Sequence, residues 1–102
     1  MLGDELSTAL TNLTKLIIRE KNPDNLKLLM DQQERLAGEL QVFIDRVVDQ
    51  TLPEYAEATT ALETANKLAE AAKADLDKVA ATITAVARAA DKVSVLAVKV
   101  GV

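Results

Sequence analysis

The chain has no cysteine and no histidine. Their absence excludes disulfides, thiolate nucleophiles, haem ligation through either residue and every zinc site built from them. Tryptophan is missing too, and aromatics reach only 2%, namely Phe43 and Tyr55. With three glycines and two prolines, turn residues are too few for a β-sandwich or barrel. No Gly-rich phosphate loop exists, because Gly3, Gly38 and Gly101 are isolated. Nor is there a block of positive charge: 12 bases are interleaved with 16 acids, for a net charge of −4. Nucleic-acid binding needs clustered Lys and Arg against phosphates, so no nucleic-acid partner is expected. The start, Met1-Leu2-Gly3-Asp4-Glu5, is acidic where a secretory signal is basic. A cytoplasmic protein is the expectation.

What is present is apolar: 49% of 102 residues, beside 27% charged. That is too hydrophobic for intrinsic disorder and the right size for a single domain, 1–102. The fold class expected is all-α.

Both prolines sit where helices begin. Asn22 before Pro23 is placed to cap a helix with its side-chain oxygen, and proline at the first helical position gives up no hydrogen bond. Thr51-Leu52-Pro53-Glu54 has the spacing of a capping box, in which Glu54 reaches back to the Thr51 amide. Helix 1, about 4–20, carries Leu6, Leu10, Leu13 and Ile17 on one stripe, widened by Leu16. Helix 2, about 23–50, carries Leu26, Met30, Ala37, Leu40, Ile44 and Val47, with Leu29, Leu36 and Phe43 repeating every seven residues beside them. Two adjacent stripes make a face broad enough for at least two neighbours. Gln33 falls among the first set, where a polar side chain can fix register by bonding across helices.

From Tyr55 the positions 55, 58, 62, 65, 69, 72, 76, 79, 83, 86, 90, 93, 97 and 100 are all apolar. Steps alternating between three and four predict one very long heptad-patterned helix 3, about 52–100. At 1.5 Å per residue it would extend roughly 70 Å, against roughly 42 Å for helix 2. An antiparallel hairpin of the two, with a short first helix, leaves the last third of helix 3 uncovered. Charge falls away in that same third. Residues 51–78 hold nine charged side chains and residues 79–102 only Arg88, Asp91, Lys92 and Lys99. A helix so apolar must be covered by something. The expected cover is a second copy, through an interface of Val79, Ile83, Val86, Ala90, Val93, Ala97 and Val100, giving a helical bundle as a dimer or tetramer. Beyond Lys92 the valines also alternate as a strand would, but a helix stopping at Gly101 is the expectation.

The carboxylate pairs Asp4/Glu5 and Glu54/Glu57 stand at helix starts, where acids complement the macrodipole, and Asp75 and Asp77 point apart. Pairs such as Glu63/Lys67, Glu70/Lys73 and Arg88/Asp91 have spacings that support a helix. Neither set forms a convergent acid–base site, so no catalytic residue, metal or cofactor is expected. Arg88, Asp91 and Lys92 lie inside the most apolar stretch and oppose a transmembrane span. The function expected is a non-enzymatic structural or protein-interaction module. The alternative is a hetero-binding module (an antitoxin, immunity or chaperone-like subunit) using the same surface. Binding to a lipid surface ranks third.

Overall fold

Asparagine and proline set the first corner as their chemistry requires. Asn22 Oδ1 accepts hydrogen bonds from the Asp24 and Asn25 amides at 2.9 and 3.2 Å, and α2 (Pro23–Ile44) starts directly behind it. In front of the corner, α1 (Leu2–Arg19) has Asp4 and Glu5 in its first turn and Arg19 in its last, each favourable to the helix dipole. The computed structural model describes residues 2–44 and 50–100. The part of helix 2 expected between residues 45 and 49 therefore lies outside the described residues, as does the stop expected at Gly101.

The single helix expected over 52–100 is instead two. α3 (Pro53–Ala74) ends at Asp75, a short 3-10 turn occupies Leu76–Lys78, and α4 (Val79–Lys99) returns against α3. Asp75 leaves helical geometry, with φ −141° and ψ 99°, and its side chain accepts a hydrogen bond from the Asp77 amide at 3.0 Å. An aspartate that bonds to the backbone two residues on offers the chain an alternative to continuing the helix. Packing supplies the driving force. Turning back buries Val79, Val86, Val93 and Leu96, each at ~1.5–3 kcal/mol, against a few broken helical hydrogen bonds at ~0.5–1.5 kcal/mol each. The return wins, and the described residues fit in 39 × 19 × 17 Å, with no projecting arm.

Side-chain contacts give the direction of every neighbour. The Leu2 amide donates to Tyr55 Oη, Asn12 Nδ2 to Asn66 Oδ1, and Arg19 Nη1 to the Lys73 carbonyl, so α1 and α3 run parallel. Gln32 Nε2 donates to the Ile83 carbonyl and Arg35 Nη2 to Asp91 Oδ1, so α2 and α4 also run parallel. Thr14 faces Gln33 across the antiparallel α1–α2 pair, and Glu57 faces Lys92 across α3–α4. The molecule is thus two helical hairpins laid side by side, α1–α2 and α3–α4, in an all-helical bundle. Helix 1 folds back on helix 2, as its tight turn suggests, and also lies along α3.

Two details differ from expectation. α3 takes Leu52 as its N-cap residue, one place after Thr51, so the capping-box register is not used. On α2, Met30 and Ala37 are exposed while Leu29, Leu36 and Phe43 are buried. The buried stripe of α2 is 29, 32, 36, 39, 43, and polar Gln32 and Glu39 at alternate places disguise it in the sequence. It still meets two neighbours, α1 and α4, as a broad face should. The last segment is helical through Lys99, without the strand its alternating valines allow.

Candidate interaction surface

Small and branched residues at heptad spacing turn one face of α4 toward α2 and α3. Of the seven residues expected at an intermolecular seam, Val79, Val86, Ala90 and Val93 are buried within the single chain. Ile83, Ala97 and Val100 are half-buried against the same core. The stripe is therefore interior to one protomer in this form, joined by Ala89 and Leu96.

The opposite face of α4 looks outward; it carries no charge from Val79 to Ala87, and Arg88 and Asp91 lie on it beyond that point. Ala80, Ala81, Thr84 and Ala87 are exposed, and Val95 and Val98 are 52% and 78% exposed. Two of the charges on this helix pair with neighbouring helices. Asp91, expected opposite Arg88, is held by Arg35 of α2 at 2.9 Å, and Lys92 lies 3.5 Å from Glu57 of α3. A shallow groove of about 450 Å³ runs beside this face between α3 and α4, floored by Ala61 and Ala85 and rimmed by Arg88 and Lys92.

Polar groups inside the bundle set the register of the two hairpins. Asn66, buried on α3, accepts from Asn12 and donates to the Glu5 carbonyl and to Glu5 Oε2. Arg35 also donates to Ser94 Oγ at 3.1 Å. Beside it Glu39 is largely buried on the face toward α4. Arg35 Nε stands 3.3 Å from one Glu39 oxygen, but neither oxygen receives a hydrogen bond from the described residues. Burial therefore dominates over the attraction of Arg35, and the carboxyl pKa rises to about 7. Glu70 is the opposite case: its hydrogen bond and charge contact with Lys73, formed as the i,i+3 spacing predicts, lower its pKa.

Asn12, Asn66, Arg35 and Glu39 were not singled out in the sequence, yet a signal existed for two of them. Asn12 stands three residues after buried Ala9 and four before buried Leu16. Glu39 stands three after Leu36 and four before Phe43. A polar residue at core spacing marks a position where the neighbour must supply a partner.

Glu39 is not among the residues that line the groove between α3 and α4, and Asp91 beside it is engaged by Arg35. Among the described residues no cluster of acidic side chains could hold a metal ion, and no helix is long and apolar enough to cross a membrane. No family model, curated protein or solved structure is significantly similar to this chain.

Proposed function

We propose that the chain is a non-enzymatic structural or protein-interaction module that self-associates through its C-terminal helix, residues 79–100. The observation that carries this reading is that the first half of α4, residues 79–87, is without charge on both its inner and its outer side. Its inner face completes the core, and its outer face still presents Ala80, Ala81 and Ala87 to solvent, with Val95 and Val98 beyond the exposed Arg88 and Asp91. From Val79 to Ala87 there is no charge at all. A monomer that stays single ordinarily covers such a face with Lys and Glu, and a contiguous apolar patch is a mark of an interface. A second copy is the favoured occupant because symmetric homodimers are the commonest oligomers.

Light scattering over a concentration series tests this. The expected result is a defined dimer or tetramer at high concentration that loses mass on dilution. The mass of one chain at every concentration would overturn self-association.

A further inference from the structure

The heptad pattern and the bend at residues 75–78 disagree, and the disagreement is local. Across the turn the apolar stripe keeps its phase without a skipped residue: Ala69, Ala72, Leu76, Val79, Ile83. A designed corner usually resets the phase or carries Gly or Pro, and Asp75-Leu76-Asp77-Lys78 does neither. Of the fourteen stripe positions from 55 to 100, Leu76 alone is exposed, at 40%. It is the one position of this stripe that the folded-back form leaves outside the core.

We infer that two copies of this chain exchange α4, with residues 75–78 straightening so that α3 and α4 become one continuous helix and each α4 fills the place beside the other copy's α2 and α3. This rests on the reading that the chain self-associates through residues 79–100; it uses the inner face of α4 and leaves the outer face at the surface. The exchanged dimer remakes between chains the contacts that Val79, Val86, Val93 and Leu96 make within one. Such exchange costs little in packing and is set by the hinge and by concentration. At the hinge the exchanged form restores helical hydrogen bonds and brings Leu76 into line with Ala72 and Val79, at the junction of the two bundles. Opposing it are the entropy of association and the Asp75 side chain, whose bond to the Asp77 amide holds the turn.

The test uses the pair Glu57 and Lys92, 3.5 Å apart across α3 and α4 and both at the surface. In a chain without native cysteine, Glu57→Cys with Lys92→Cys supplies the only two thiols. A short bismaleimide joins them, and a denaturing gel reports which chains were joined. Exchange predicts a two-chain band at concentrations where light scattering shows a dimer. A dimer by scattering that yields only internally linked single chains means docking of closed protomers; it overturns the exchange and leaves self-association standing. The mass of one chain throughout overturns both.

Hinge variants give an independent reading. Asp75→Ala removes a side-chain cap and adds helix propensity, and shifts the equilibrium toward dimer by roughly 2- to 30-fold. Leu76→Pro blocks a continuous helix, whereas Asp75 before it is already extended, as a residue preceding proline must be. That variant stays folded and monomeric. A dimer unaffected by either change would overturn the role of the hinge.

Discussion

Glu39 shows how one side chain makes stability depend on pH. Its carboxyl ionises near 4.5 in the unfolded chain and near 7 in the folded one. Between those values the folded state binds the extra proton, so stability is full below about 4.5 and declines as pH rises through about 7. Glu39→Gln keeps the shape and removes the charge. Urea midpoints at pH 5 and pH 8 should therefore fall closer together in the variant, with a gain at pH 8 of about 1–3 kcal/mol after allowance for solvent screening. Glu70 acts in the opposite sense, in the more acidic range below the ordinary carboxylate pKa, so the two effects separate along the pH axis. Asn66 provides a second test at this scale. Its amide joins Asn12 and Glu5, and Asn66→Ala leaves the buried Asn12 amide without that acceptor. The expected loss is about 1–3 kcal/mol in chemical denaturation, with no change of helix content by circular dichroism. Asn12 and Glu39 could be noticed in the sequence by their core spacing. Which helix each would face, and whether a hydrogen bond would reach it, depended on the pairing of hairpins.

At the scale of elements, the starts of helices were the most readable feature and the end of α3 the least. Asn22 caps α2 through its own side chain, a local interaction that needs no other helix. Removing it with Asn22→Ala should lower the unfolding midpoint by an amount equivalent to about 0.5–2 kcal/mol. Of the two adjacent stripes on α2, the one with Leu29, Leu36 and Phe43 turns inward although Gln32 and Glu39 interrupt it, while Met30 and Ala37 of the other are exposed. Apolar residues on a surface are common, so periodicity by itself does not decide which of two adjacent stripes lies deeper. The break at Asp75 escaped notice because helix phase, propensity and turn chemistry are all nearly continuous across it. Only the return of α4 onto α2 and α3 makes bending favourable. This also changes the meaning of a charge placed in the stripe. Val86→Glu would bury an unpaired carboxylate inside a protomer, so it should unfold the chain as well as disperse any assembly.

For the whole molecule, the balance lies between one chain covering its own apolar third and two chains covering each other. Both satisfy the same pattern of residues, so in the proposed exchange the hinge at residues 75–78 and the concentration set the balance between them. What composition and periodicity determined was the secondary structure: an all-helical chain, corners at Pro23 and Pro53, no His or Cys chemistry, and an apolar C-terminal third in need of cover. Those properties follow from residue type and spacing along one helix, which act over a few residues. The parallel pairing of α1 with α3 and of α2 with α4, the burial of Val79, Val86 and Val93 in their own chain, and the displaced proton on Glu39 came from tertiary packing. Each depends on residues some fifty places apart meeting in space. No helical repeat encodes such a meeting, because the repeat specifies that a face must be covered and is silent about which face covers it.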